Sequence, residues 1–232
     1  MPIPKIRDEF FIVENFIDPE TCSAVINYFD FLVENKILKW NEISFYGSEA
    51  MGYWPSDPNL KLFGLPEDFF NQLKEKIKAK AEELLGFEVS EVSYHAQRWI
   101  EGAFADYHSD NSDELGNPTA FERSKYAVFI YLNDDFEGGH LKFKDSDIDI
   151  KPKVGLTAIF AGGHTREHMV TTVKGGIRYT IGSFWDDASI EYTEEQREAW
   201  ATELKAVRAE QEKIYKKWAT PEGKPVMPEG RE

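Results

Sequence analysis

His108 and Asp110 stand two residues apart in the run Asp106-Tyr107-His108-Ser109-Asp110. Alternate residues of a strand point to the same side, so a strand ending here aims an imidazole and a carboxylate at one point. A His-x-Asp tripeptide alone is a common surface feature. A further donor comes much later, at His168, which opens the apolar run Met169-Val170. Beyond the turn signal Lys174-Gly175-Gly176 lies Arg178, ten residues after His168. Folding that stretch as a hairpin sets His168 nearly opposite Arg178. Two imidazoles and a carboxylate on one face of an octahedron suit non-haem ferrous iron and leave positions open for ligands. An arginine beside them offers a planar, permanently charged fork that takes a carboxylate through two bonds. A 2-oxo acid chelating the metal at one end can dock its far carboxylate there.

Other residues compete for these roles. His164, four residues before His168, is a rival third ligand; His168 is preferred because an apolar strand follows it directly. His95 and His140 read as strand or turn residues. Asp106 reads as a solvated carboxylate or one that touches a ligand instead of the metal. Gly138-Gly139 reads as a tight turn and not a phosphate cradle, because no helix follows it.

A scaffold must bring the two distant stretches together. From Val89 to Asp186 the chain is a series of short β-type runs between Gly, Asn and Asp turns. The candidates are 92–100, 104–108, 125–132, 140–144, 147–150, 156–160, 167–173 and 177–185. About eight strands with no helix between them predict an antiparallel barrel or two-sheet jelly roll. Upstream, residues 10–13 read as a strand, and Asp18-Pro19 as the N-cap and first position of a helix over 19–34. Cys22, Val25, Ile26, Phe29, Leu32 and Val33 recur along it at helical spacing. A second helix is predicted over 66–85, burying Phe69, Phe70, Leu73, Ile77, Ala81, Leu84 and Leu85, with Gly86 as its stop.

Residues 45–60, rich in Gly, Pro and aromatics, are predicted as an irregular loop. Segments 45–59 and 111–124 are candidate lids, or else inert surface loops. Between Thr193 and Trp218 the residues Trp200, Leu204, Val207, Gln211, Ile214 and Trp218 mark an amphipathic helix laid against the barrel. Thr193 and Gln196 open it as a capping box. Its two tryptophans could instead seal a dimer, so monomer and homodimer both stay open. The expected organisation is a single domain over 1–220, with a β core at 89–186, helical support at 10–88, a C-terminal helix at 193–218 and a flexible tail at 221–232.

Bulk properties narrow the function. A formal net charge of -15 repels phosphate backbones, so nucleic acid is a poor substrate. A basic peptide would be steered favourably. Cys22 is the only cysteine, which excludes an intrachain disulfide and a cysteine-based zinc site. No apolar run approaches the roughly 18 residues of a membrane helix. Met1-Pro2-Ile3-Pro4-Lys5 lacks the pattern of a secretory signal. The expectation is a soluble cytoplasmic protein with no membrane contact.

The ordered motifs go further. His108-Ser109-Asp110, then Tyr131-Leu132-Asn133-Asp134-Asp135, then Glu137-Gly138-Gly139-His140-Leu141-Lys142-Phe143, resemble the prolyl 4-hydroxylase branch of the 2-oxoglutarate/Fe(II) oxygenases. Pro152-Lys153-Val154-Gly155, Glu167-His168-Met169-Val170 and Gly176-Ile177-Arg178-Tyr179 continue the pattern in the family's order, and Phe10 to Cys22 resembles its start. The resemblance implies a mainly β double-stranded β-helix, cupin-like, with N-terminal helices packed on one sheet. It implies His108, Asp110 and His168 as iron ligands and Arg178 as the anchor of the distal carboxylate of 2-oxoglutarate. Tyr131 matches a tyrosine that donates to that carboxylate, and Thr180, on the strand face of Arg178, could add a hydroxyl. Trp99 departs from the family, which usually has tyrosine there; its indole N–H can still donate, but the pocket wall changes. Trp185 matches a family tryptophan, as core or as pocket wall.

The implied reaction consumes O2, decarboxylates 2-oxoglutarate to succinate and hydroxylates an unactivated C–H bond, with ascorbate as a reductant. Relatives that halogenate lack the carboxylate matched by Asp110, so hydroxylation is implied. The implied substrate is a proline in a peptide or protein. Two alternatives stay open: the same chemistry on a free amino acid, lysyl residue or small metabolite, and a barrel that binds metal without turnover.

Overall fold

A computed structural model describes residues 10–42, 46–52 and 56–218, with the side chains of 42, 46, 208 and 210–218 left aside. Its centre is an antiparallel sheet curled on itself, with flanking helices. The strands are β1 (Phe10–Val13), β2 (Asn41–Glu42), β3 (Tyr46–Gly52), β4 (Val89–His108), β5 (Tyr126–Tyr131), β6 (Leu141–Phe143), β7 (Asp149–Ile150), β8 (Thr157–Ala161), β9 (His168–Val170) and β10 (Arg178–Asp187). They follow the order β1-β8-β5-β10-β4-β9-β6-β7, with β3 added along β4. This is the double-stranded β-helix architecture that the motifs imply.

The sheet's two faces follow from the two-residue period of its strands. Along β5, Tyr126, Val128 and Ile130 join the core shared with the helices, whereas Ala127 and Tyr131 join the inner core with Leu141, Phe143, Ala158 and Phe160. Helix α1 (Pro19–Glu34) starts as the sequence predicts: Asp18 accepts a 2.8 Å bond from the Thr21 N–H, and Pro19 opens the first turn. It buries Cys22, Val25, Tyr28, Phe29 and Leu32 against the sheet and against α2 (Phe69–Leu85). The second helix begins three residues later than expected, after a turn in which the Phe69 N–H binds the Pro66 carbonyl.

Three expectations need correction. Residues 92–100 and 104–108 are not two strands but parts of β4, which runs unbroken for 20 residues. Gly102, at φ 86°, makes the bend, and its N–H is taken up by the Val173 carbonyl at 2.8 Å. A glycine there allows the chain to turn a corner without leaving the sheet. The first half of β4 pairs with β10 and the last part with β9. Consequently His168 and Arg178 do not face each other across a hairpin. Their strands lie on opposite sides of β4, which presents Trp99 to Arg178 and His108 to His168.

Residues 46–52 are likewise not an irregular loop. They form β3, with Ser48 opposite Trp99 and Met51 opposite Ala96. Gly, Ser, Glu and Ala are poor strand formers, so propensity hides a segment that pairing and the burial of Ser48 and Met51 hold in place. Within the 45–59 lid candidate, residues 46–52 are thus part of the sheet. Pro58–Phe63 follow as a 3-10 turn, and 53–55 lie outside the described residues.

Helix α3 (Glu194–Trp218) has its capping box: the Thr193 N–H donates to Gln196 Oε1 at 2.8 Å, and the Gln196 N–H to Thr193 Oγ1 at 3.2 Å. Trp200 packs edge-on against Tyr192, with ring centres 4.5 Å apart. The remaining apolar stripe beyond Val207, and the tail 221–232, lie outside the described side chains and residues. Among the described residues, no helix is long and apolar enough to cross a membrane.

Candidate metal centre

The last residue of β4 and the first of β9 are in register, and they are His108 and His168. Their rings sit 4.4 Å apart at 54°. Asp110 follows β4, and its N–H is bound at 2.8 Å by the carbonyl of Gly162, just past β8. One donor atom from each of His108, Asp110 and His168 lies within 4.8 Å of the others. Asp110 Oδ1 is 3.8 Å from His168 Nε2, and Asp110 Oδ2 has no hydrogen-bond partner.

Both imidazoles are held in the same way. His108 Nδ1 contacts the Asp106 carbonyl at 2.7 Å, and His168 Nδ1 contacts the Arg166 carbonyl at 3.1 Å. A carbonyl only accepts, so each Nδ1 carries the proton and each Nε2 keeps its lone pair. That tautomer is the one a metal needs. Burial pushes both imidazoles down to about 4, aided at His108 by the neighbouring His168, so both are neutral donors at physiological pH. Burial also pushes the Asp110 carboxyl up to about 7, against the pull of His108. Such a carboxyl is costly to ionise without a cation. Phe143 and Phe160 pack on His168, with ring centres at 5.8 and 4.8 Å, and fence one side of the cluster from water.

Arg178 opens β10 and is only 2% exposed. Its guanidinium lies over the rings of Trp99, at 5.2 Å, and Tyr131, at 5.0 Å. No carboxylate among the described residues pairs with it, and its Nε and Nη1 have no acceptor. The Tyr131 hydroxyl, fully buried, has the Arg178 guanidinium as its polar neighbour but makes no well-formed hydrogen bond. Burial pulls the arginine below its ordinary value, while Tyr131 works the other way. Burial raises Tyr131, and Arg178 opposes it. An uncompensated buried charge typically costs about 3–5 kcal/mol. Unpaired donors of this kind fit an incoming carboxylate. Thr180, opposite Tyr131 in the β10–β5 ladder, donates at 3.4 Å to Gln97 Oε1.

The rivals fall elsewhere. His164 is exposed on the 3-10 turn His164–Arg166, packed beside Gly116. His95 shares a 2.9 Å hydrogen bond with Gln97, and His140 pairs with Asp149 at 2.8 Å. Asp106 contributes its carbonyl to His108, with its carboxylate at the surface. Trp185 belongs to the core facing the helices, its indole donating to Ser183 Oγ at 2.8 Å, and so is not a pocket wall. Loop 111–124 is shaped by Asp113, whose carboxylate accepts from the N–H groups of Leu115 and Asn117.

Two glycines escape a reading based on side-chain chemistry. A Cβ on Gly162 would sit 2.9 Å from Asp110 Cβ and 2.6 Å from the Ser124 carbonyl oxygen. A Cβ on Gly139, at φ 62°, would sit 2.9 Å from Arg178 Cδ. Each makes room for a site residue, and Gly138-Gly139 is therefore more than a turn.

Two histidines and a carboxylate on a curled antiparallel sheet define a candidate non-haem metal centre, and a buried arginine over Trp99 and Tyr131 offers a candidate anion site in the same β core. Residues 94–186 match the family described as the 2OG-Fe(II) oxygenase superfamily. Human prolyl 3-hydroxylase 2 is 34% identical over 85 residues, 34% of this chain and 12% of that protein. Mouse prolyl 3-hydroxylase 3 is 31% identical over 92 residues, 38% of this chain and 12% of that protein. The chain thus spans about an eighth of the length of these curated relatives. A Trichoplax adhaerens prolyl hydroxylase, solved with a hypoxia inducible factor peptide, shares the fold with a TM-score of 0.60 at 16% identity, over 78% of this chain and 84% of that one. A Pseudomonas putida prolyl-4-hydroxylase does so with a TM-score of 0.54 at 16% identity, over 78% and 94%.

Proposed function

We propose that the protein is a ferrous-iron and 2-oxoglutarate-dependent hydroxylase acting on prolyl residues of a peptide or protein. The observation that carries this reading is a three-donor cluster whose imidazoles are already in the metal-binding tautomer, joined through the Tyr131, Phe143 and Phe160 core to a buried Arg178 that has no carboxylate partner among the described residues. Ferrous iron and 2-oxoglutarate together supply O2 activation, yielding succinate and CO2 and transferring one oxygen atom to a C–H bond, with ascorbate serving as reductant.

The chain's own residues have distinct tasks. His108 and His168 bind the metal through Nε2, and Asp110 binds through its carboxylate after giving up its proton. Arg178 receives the distal carboxylate of 2-oxoglutarate through its unpaired N–H groups. The Tyr131 hydroxyl donates to the same carboxylate, and the Thr180 hydroxyl can turn toward it from Gln97. Trp99 covers one face of the guanidinium and keeps the pocket dry, so the charge pairing is strong. Proline as the target is favoured by the prolyl hydroxylases named among the relatives, and a peptide by the acidic surface. A cytoplasmic location goes with the single, buried cysteine.

The test is succinate release from 2-oxoglutarate with Fe(II), stimulated by proline-containing peptides and abolished by His108→Ala. Hydrolysis of the product peptide should give 4-hydroxyproline; 3-hydroxyproline would move the attack to the neighbouring ring carbon. Stimulation by lysyl peptides or free amino acids alone would replace the prolyl assignment.

A further inference from the structure

Asp186, near the end of β10, is fully buried and holds two cations: Lys125 Nζ at 2.7 Å and Arg123 Nε at 3.1 Å. Lys125 Nζ also donates to the Tyr192 hydroxyl at 2.7 Å. The Arg123 guanidinium lies 5.2 Å from the centre of the Tyr192 ring and 5.9 Å from that of Trp200, on α3. The start of the C-terminal helix is therefore fastened to residues 123–125, which lead into β5. Removing either cation would leave the buried Asp186 carboxylate less compensated, which is strongly unfavourable.

The same residues support the metal cluster from behind. The Lys125 carbonyl accepts from the Gly162 N–H at 2.8 Å, and the Ser124 carbonyl oxygen is the nearest atom to the space where a Gly162 Cβ would be. The Gly162 carbonyl in turn accepts from the N–H groups of Asp110, at 2.8 Å, and Asn111, at 3.2 Å. From Trp200 the link thus runs through the Arg123 side chain, along the backbone of 123–125, and across hydrogen bonds through Gly162 to Asp110. Asp110 lies beyond the end of β4, so this backing does what strand pairing does for His108 and His168.

We propose that Arg123, Lys125 and Asp186, clamped by Tyr192 and Trp200, are positioning residues that hold Asp110 in place to bind the metal. This rests on the reading of His108, Asp110 and His168 as ligands. The helix α3 is then part of the metal centre's support, and whatever shifts it changes metal affinity without touching a ligand. Groups that orient metal ligands typically carry about 10–100-fold in affinity.

The test measures Co2+ affinity and the intensity of the Co2+ visible bands in the full chain, alongside thermal unfolding without metal. Arg123→Ala and Trp200→Ala should each weaken Co2+ binding by about tenfold and alter the bands, and Arg123→Lys should restore much of the loss. Phe63→Ala, on the 3-10 turn packed against Tyr28 and Phe31 of α1, supplies a comparison loss of stability and should leave Co2+ affinity within about twofold. Arg123 and Trp200 variants that lose stability but bind Co2+ as the Phe63 variant does would overturn the positioning role. Equal Co2+ affinity in wild type and His168→Ala would instead remove the ligand assignment on which it rests.

Discussion

His108 and His168 face each other across the β4–β9 ladder, each with Nδ1 bound to the carbonyl two residues before it. The backbone of two distant segments fixes both tautomers before any metal arrives. Under the proposed ligand assignment, such preorganisation leaves Asp110 as the group that must change protonation on binding.

That difference sets the pH dependence of metal uptake. With both imidazoles pushed down to about 4, no proton competes for them at pH 6; Asp110, pushed up to about 7, still holds one. Binding at pH 6 should release about one proton, falling toward none above pH 8. Affinity should therefore rise about tenfold per pH unit below 7 and level off above it. Calorimetry of Zn2+ binding in buffers of different ionisation enthalpy checks this. Release of two protons near pH 6 would mean that the histidines, and not Asp110, titrate.

Arg178 should behave as a residue kept for function at the expense of stability. Replacing Arg178 with Met removes an unpaired buried charge, so the ligand-free protein should keep or gain stability, by about 1–4 kcal/mol. The same variant should lose 2-oxoglutarate binding by a hundredfold or more, on the order of 3 kcal/mol for a charged, bidentate contact. Thermal unfolding and binding to the Zn2+-loaded protein are the two measurements. Loss of stability with unchanged binding would place the carboxylate elsewhere.

The two glycines should separate the two halves of the site. Gly162→Ala presses on Asp110 and should weaken Zn2+ binding about 10–100-fold. Gly139→Ala presses on Arg178 and should weaken 2-oxoglutarate binding while leaving Zn2+ affinity nearly intact. Titrating both variants with metal, then with 2-oxoglutarate, resolves the pattern. Identical behaviour of the two would count against separate metal and carboxylate pockets.

Much of this was legible in the sequence because the donors are chemically rare and ordered along the chain. His108, Asp110 and His168 do converge, and Arg178, Tyr131 and Trp99 do form one buried cluster. The path of the chain between His168 and Arg178 differs from the expected hairpin. A local hairpin is the simplest way to join His168 to Arg178, but a strand of 20 residues bent at Gly102 lies between them. Strand β3 was hidden because its stability comes from pairing with β4 and not from its residue types. Gly139 reads in the sequence as a turn and Gly162 carries no signal, since what matters at both is a missing atom. Asp186 and its two cations were equally silent, because their partnership spans more than 60 residues of sequence.

In the proposed function, His108, Asp110 and His168 hold ferrous iron while Arg178 receives a 2-oxoglutarate carboxylate. Anaerobic titration of the protein with Fe(II) and then 2-oxoglutarate, followed by visible absorption, tests it most directly. A weak charge-transfer band should grow with 2-oxoglutarate to one equivalent, vanish in His168→Ala, and need far more 2-oxoglutarate in Arg178→Met. No band in the wild type, or an equal one in His168→Ala, would contradict the account.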